Sequence, residues 1–174
     1  MVRTTEEGGL LLESAPGPKY QAALGVAYGA GLRVSEVANL KVTDIDRARM
    51  VLRIEQGKGQ KDRNGMLSPR LLELLRLYWR ASRPGTWLFP TRDRQRCIDS
   101  AVAQKMYYAA KRRAGLTTEG GIHSMRHAFA THVLAAGVDV HTSQRLLGHG
   151  QLSTPPSSFH HTAHVMTTAS PRAR

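Results

Sequence analysis

The stretch HSMRHAFATH, residues 123–132, places one arginine and three histidines on a single predicted helix. His123 and His127 are four positions apart, a spacing that can bring two imidazoles to one metal ion. Arg126 would stand between these ligands as a repelling charge, and no glutamate directly follows His123, so we expect no metal site. A guanidinium can instead grip two oxygens of a phosphate while a nearby imidazole donates a hydrogen bond or moves a proton. The stretch therefore favours a phosphate over a metal.

Similar polar groups occur at the ends of other predicted elements. Arg33 follows two glycines in GAGLRVSEV, Lys58 lies in the glycine turn of QGKGQKDR, and LLGHG ends a predicted helix with His149. Each alone has an ordinary explanation: an ion pair of Arg33 with Glu36, a turn lysine, or a helix-end histidine. Together they form a candidate catalytic set, which consists of Arg33, Lys58, His123, Arg126 and His149.

The elements that must position this set are mostly helices. Apolar spacing, caps and glycine stops predict an α+β, mainly α fold, a helical bundle with a small antiparallel β-sheet. The predicted elements begin with a helix over 19–31, a short helix from Leu32 and a β-hairpin over 50–67. Four further helices follow: one that starts at Pro69 and is capped by Ser68, one that is capped by Asp99 or Ser100 and ends at Gly115, one that ends at Gly137, and one that ends at Gly148 or Gly150.

Positive charge is concentrated in the middle of the chain. The sequence has 25 Lys and Arg against 13 Asp and Glu, and residues 58–113 hold 14 of these basic residues and 4 of the acidic ones. Such a basic surface is typical of a protein that binds a polyanion, although it can also be a solvated face. Candidate contacts to DNA phosphates are Lys61, Arg63, Lys111, Arg112 and Arg113, and the last three can equally be a cluster of charges at a helix end.

Other features narrow the class of protein. Cys97 is the single cysteine, so no internal disulfide can form, and no stretch approaches the roughly 18 apolar residues of a membrane span. The first thirty residues lack the pattern of a signal peptide. We therefore expect a soluble, cytoplasmic protein without a membrane partner.

Four stretches occur in order along residues 18–152: GAGLRVSEVANLKVTDID, GKGQKDR, HSMRHAFATH with VLAAGVD behind it, and LLGH. With them the sequence resembles the catalytic domain of the tyrosine recombinases of the phage-integrase type. The resemblance implies cleavage and rejoining of double-stranded DNA in site-specific recombination or integration, by an enzyme that can assemble as a homo-oligomer on DNA. It implies no metal and no other cofactor, because two guanidinium groups supply the electrostatic stabilisation.

The resemblance also implies a role for each residue of the set. Arg33 and Arg126 would clamp the scissile phosphate, and Lys58 would protonate the departing 5′ oxygen. His123 would assist proton transfer, and His149 would hydrogen-bond a phosphate oxygen.

The carboxyl end departs from the family pattern. The attacking tyrosine is expected nine residues after the histidine of LLGH, where this chain has Ser158, and all five tyrosines precede residue 123. We expect a short extension over 1–17, the catalytic domain over 18–152 and an atypical, disordered tail over 153–174, which a reading-frame shift would explain. Catalysis would then be impaired. The alternatives are a DNA-binding remnant or regulator without catalysis and, from another class, a zinc-dependent hydrolase.

Overall fold

The computed structural model describes residues 4–55, 62–117 and 119–139. This part of the chain contains six α-helices, one short 3-10 helix and three strands. In chain order they are α1 (Thr5–Glu13), α2 (Pro18–Gly29), α3 (Val34–Ala38), the 3-10 turn (Val42–Asp44), β1 (Ile45–Asp46), β2 (Val51–Ile54), β3 (Arg63–Met66), α4 (Pro69–Ser82), α5 (Ser100–Arg113) and α6 (His123–Ala135). The predicted fold class, mainly helical with a small antiparallel sheet, is confirmed.

Helix α2 is the centre of the hydrophobic core. Six consecutive residues, 22–27, are buried, so the helix is covered on all sides rather than along one stripe. It packs against α4, α5 and α6. This central position brings the carboxyl end of α2, which leads to Arg33, against the helix that carries Arg126.

The capping residues expected from the sequence are present on α4 and α5. The Ser68 hydroxyl accepts a hydrogen bond from the Leu71 amide at 3.2 Å, and the Asp99 carboxylate accepts one from the Val102 amide at 2.7 Å. Each cap satisfies an amide that the first turn of a helix leaves without a partner.

The predicted hairpin is part of a three-stranded antiparallel sheet with the order β1-β2-β3. Strands β2 and β3 pair in a register that places Val51 opposite Met66 and Ile54 opposite Arg63. The turn between these strands, with Lys58 and Lys61, lies outside the described residues. The predicted last helix with His149, as well as the tail with Ser158, also lies outside them.

Helix α1 occupies most of the segment expected to be a short extension, where no element was predicted. The Thr4 hydroxyl caps it by accepting a hydrogen bond from the Glu7 amide at 3.1 Å, and Leu11 is completely buried in the core. The helix packs against α2, α5 and α6. Among the described residues, no helix combines the length and the apolar character needed to cross a bilayer.

Candidate functional site

The turn between α2 and α3 brings the first two candidate residues together. Gly31 has a φ of +61°, and a Cβ at this position would lie 2.5 Å from Cδ1 of Phe129 on α6. Only glycine combines that left-handed backbone with so close an approach. The Gly31 carbonyl accepts a hydrogen bond of 2.6 Å from Nη1 of Arg126. The turn that leads to Arg33 therefore also anchors Arg126.

A buried carboxylate lies at the centre of the cluster. Glu36 is the third residue of α3, and its side chain is only 5% exposed. Oε2 accepts a hydrogen bond of 2.7 Å from the Arg33 amide, and Oε1 accepts one of 3.0 Å from the Arg33 guanidinium. The ion pair between Arg33 and Glu36, which the sequence offered as an ordinary explanation of Arg33, is thus present. Glu36 holds both the backbone and the side chain of Arg33.

Arg63 approaches the same carboxylate from strand β3. Its Nη2 donates to Oε2 of Glu36 at 2.7 Å, and its Nε donates to Oε1 at 3.4 Å. Burial works against the charge of Glu36, but the hydrogen bonds and positive charges of Arg63 and Arg33 outweigh it and hold the pKa of Glu36 below its usual value. The carboxylate is therefore ionised at neutral pH.

Arg126 is half-buried on α6, and its charge interacts with the charges of Arg33, Arg63 and Glu36. Its pKa is lowered to about 10, first by burial and then by repulsion from Arg33 and Arg63, while Glu36 opposes the shift. Arg126 keeps its proton at neutral pH, but in a surrounding that disfavours the charge. An anion bound beside these guanidinium groups would offset the repulsion, and a planar guanidinium binds the oxygens of a phosphate in particular.

His123 begins α6 and is exposed, three positions before Arg126, so the two side chains lie on adjoining turns of one helix face. The start of α6 is held by α5, because the Ile122 amide donates to Oε1 of Gln104 at 3.2 Å. A side chain at Gly121 would collide with the Gln104 amide and meet the His123 ring at 3.1 Å. The close packing of this loop fixes the backbone position from which the His123 side chain projects.

The predicted set is therefore brought together in part. Arg33 and Arg63 converge on Glu36, and Arg126 is held at the Gly31 carbonyl, near enough for its charge to interact with all three. His123 lies one turn from Arg126. The two remaining members of the set, Lys58 and His149, lie outside the described residues, as do two other predicted site positions, Lys61 and Ser158.

Of the three cations at the end of α5, Arg112 and Arg113 are exposed and Lys111 is partly exposed. Nε of Arg113 donates to the Ser14 carbonyl at 3.0 Å, which links α5 to the residue after α1. Lys111 and Arg112 line an open cleft of about 390 Å³ together with Tyr108 and two further residues of the same region. Their predicted contact with DNA stays a prediction.

Two features of the site were missed in the sequence. The sequence suggests Glu36 only as an ordinary partner of Arg33. Its position three residues after the N-cap residue Arg33 is, however, a capping position, which could have marked it as a structural residue of the site. The Tyr28 hydroxyl and Nδ1 of His132 are 2.7 Å apart and join α2 to α6. No local signal in the sequence reveals that contact, because 104 residues separate the partners.

Metal ligands were also considered from the sequence. Within residues 4–55, 62–117 and 119–139, no group of three His, Cys, Asp or Glu side chains is arranged to hold a metal ion.

Comparison with known proteins agrees with this arrangement of motifs. A protein of Sinorhizobium fredii with the provisional name integrase/recombinase y4qK is 49% identical over 126 residues, which are 72% of this chain and 39% of that protein. The tyrosine recombinase XerA of Thermococcus kodakarensis is 36% identical over 114 residues, 64% of this chain and 40% of that protein. A crystal structure of XerA recombinase superposes with a TM-score of 0.79 at 27% identity, covering 99% of this chain and 66% of that one.

The chain thus spans about two fifths of the length of these two curated relatives. The sequence pattern of the phage integrase family matches residues 10–164, which is most of the chain. The match includes all the motifs that carry the resemblance, and it begins inside α1. This chain belongs to the phage integrase family.

Proposed function

We propose that this chain is the catalytic part of a site-specific DNA recombinase, that it binds a DNA phosphodiester at its arginine cluster, and that its own strand cleavage is impaired. One observation carries the proposal: Arg33, which is held by Glu36, and Arg126, which is held by the Gly31 carbonyl, come from separate elements and lie close enough to repel each other. Guanidinium groups held in this way are preorganised, so they lose little freedom when they bind a phosphate.

The chemistry follows from where negative charge develops. When an attacking oxygen adds to phosphorus, the charge spreads over the equatorial oxygens, and fixed donors beside them stabilise the transition state. Arg33 and Arg126 would supply this stabilisation, and His123 would move a proton one turn away. Lys58 and His149 would complete the set, as general acid and hydrogen-bond donor.

The impairment rests on the sequence. The family attacks phosphorus with a tyrosine, and all five tyrosines of this chain precede residue 123, whereas Ser158 is at the expected spacing. A serine hydroxyl without an activating base is a weak nucleophile. The second candidate function is therefore a DNA-binding remnant or regulator, which the same observation favours. Assembly as a homo-oligomer on duplex DNA and a cytoplasmic location accompany the proposal as predictions.

A nicked duplex that traps covalent intermediates tests the proposal. We expect the chain to bind duplex DNA, more weakly as salt rises, and to form no covalent adduct on a denaturing gel. Arg126→Gln should weaken binding about tenfold, the loss expected for a charge-assisted contact of about 1.4 kcal/mol. Arg80→Gln changes an exposed arginine of α4 and is the matched control.

Each other outcome is informative. An adduct formed by the wild-type chain would show that cleavage is intact and would refute the impairment. Failure to bind any duplex at low salt would refute the whole proposal. Equal losses in Arg126→Gln and Arg80→Gln would indicate general charge attraction rather than a phosphate site.

A further inference from the structure

We propose that Arg63 is a positioning residue of the phosphodiester site, which acts through Glu36 on Arg33 and does not itself contact DNA. The inference rests on the proposed function and deepens it. From the sequence, Arg63 was expected to be one of several surface cations that contact DNA phosphates. Its surroundings favour a different role.

The first argument is geometric. The side chain of Arg63 is 12% exposed, whereas Arg112, another candidate DNA contact, is exposed. Two of the N–H groups of Arg63 face the two oxygens of Glu36, at 2.7 and 3.4 Å. A guanidinium that approaches a carboxylate in this way is fixed in direction as well as in charge. Arg63 is thus directed inward, toward α3.

The second argument concerns what Glu36 holds. Glu36 accepts hydrogen bonds from the amide of Arg33 at 2.7 Å and from its guanidinium at 3.0 Å. Movement of the carboxylate would therefore displace both the backbone amide and the guanidinium of Arg33. Because Arg63 lies on β3 and Glu36 on α3, 27 residues apart, their ion pair ties the sheet to the helix start that presents Arg33.

The third argument is electrostatic. Arg63 contributes to the low pKa of Glu36 and also repels the charge of Arg126. Without Arg63, Glu36 would be buried with less compensation and would be drawn more fully to Arg33, whose charge would then be less available to a phosphate. A neutral residue at position 63 should thus weaken phosphate binding even though no contact with DNA is removed.

A double-mutant cycle on DNA affinity separates this role from a direct contact. We expect Arg63→Gln to weaken duplex binding about tenfold in the wild-type background and by less than about twofold in a Glu36→Gln background, since coupled residues give non-additive effects. Arg63→Lys keeps the charge and should recover part of the loss. The same fold-loss in both backgrounds would mean that Arg63 contacts DNA directly, and the proposal would be wrong.

The pH profile of binding gives a second readout that a general loss of packing would not produce. In Arg63→Gln the pKa of Glu36 should rise, so the acid side of the profile should move to higher pH. The matched control Arg80→Gln, at an exposed arginine of α4, should leave it in place. Far-UV circular dichroism and cooperative thermal unfolding establish that each variant is folded. If Arg63→Gln does not fold, Arg63→Lys is used instead. If Arg63→Lys loses about tenfold in duplex affinity while its pH profile of binding stays that of the wild type, the proposal is wrong.

The proposal can be judged apart from the proposed function. If the wild-type chain binds no duplex, the proposed function fails, and the titration of Glu36 by carboxyl carbon NMR then tests the link to Arg63. A midpoint that rises in Arg63→Gln and stays constant in Arg80→Gln supports the coupling. An unchanged midpoint in both variants overturns it.

Discussion

At the scale of single residues, Glu36 makes the site dependent on pH. Its pKa in the folded chain is below the usual value for glutamate, so its ion pairs stabilise the fold above that usual value and are lost as pH falls through the lowered folded-state value. We expect the free energy of unfolding to fall at acid pH in the wild type and to lose this component in Glu36→Gln. Urea unfolding across pH measures it.

The same variant should also be less stable at pH 7. Replacing a buried carboxylate by an amide leaves Arg33 and Arg63 with less compensation, which costs roughly 3 kcal/mol. Glu73→Gln is the control, because Glu73 is exposed and its 3.5 Å contact with Arg76 is weak. A Glu36→Gln chain as stable as the wild type would contradict the view that this carboxylate holds the cluster.

Arg126 gives a second prediction at the residue scale. Its pKa of about 10 means that the folded chain disfavours the guanidinium charge relative to the unfolded chain, so this charge reduces stability at neutral pH. A bound anion should offset the cost. We expect inorganic sulfate to raise Tm by about 2–4 °C, as about 1 kcal/mol does in a chain of this size. Differential scanning fluorimetry at constant ionic strength measures the effect.

Arg126→Gln should lose more than half of this rise in Tm, and Arg80→Gln should keep it. An identical rise in all three chains would mean that sulfate acts on the protein in general and binds at no particular place.

How much of the site follows from the sequence also depends on the residue. Arg33, His123 and Arg126 were selected because each stands at an element end in a motif, and motif order indicates which ends meet. The capping position of Glu36 could have marked it, but the inward direction of Arg63 could not be deduced, because composition gives the number of charges in a segment but not which way a guanidinium points. That direction is seen only in the ion pair by which Arg63 of β3 reaches Glu36 of α3.

At the scale of elements, the turn from α2 to α3 determines whether the two arginines meet. Gly31→Ala would place a Cβ 2.5 Å from the Phe129 ring and force an L-residue into a φ of +61°. Left-handed backbone costs about 1–2 kcal/mol and overpacking about 1–3 kcal/mol, so we expect a loss of roughly 2–4 kcal/mol in the free energy of unfolding. Urea unfolding provides the measurement.

Because the Gly31 carbonyl anchors Arg126, the sulfate effect on Tm should shrink in Gly31→Ala as well. Gly9→Ala is the matched control, since a Cβ there meets no atom within 4 Å and alanine favours the helical state of α1. It should be neutral or slightly stabilising. A Gly31→Ala chain that behaved like this control would show that the turn tolerates side chains.

The elements also show where sequence patterns suffice. Helices with strong caps, such as α4 and α5, were predicted close to their observed starts at Pro69 and Ser100. Helix α1 was missed because its two glycines weaken the helical pattern, although Thr4 followed three residues later by Glu7 is a start signal. Strand β1 has two residues, too few to show alternation, and only its pairing with β2 defines it.

At the scale of the whole molecule, the uneven charge determines how duplex binding should depend on salt. Residues 58–113 hold 14 basic and 4 acidic residues, and the basic end of α5 lies at the surface. Each phosphate that a cation neutralises adds about −0.9 to the slope of log K against log salt, through released counterions. Cations that only terminate a helix contribute nothing to this slope.

The triple variant Lys111→Gln, Arg112→Gln, Arg113→Gln separates these two roles. We expect its slope to be shallower by about 1.8, because Arg113 is held by the Ser14 carbonyl and two cations remain for DNA. Fluorescence anisotropy of a labelled duplex across a salt series gives the slope. Arg76→Gln with Arg80→Gln on α4 is the control pair and should change it less. An unchanged slope in the triple variant would assign these cations to the helix end alone, and the DNA surface would then have to be sought closer to Arg33 and Arg126.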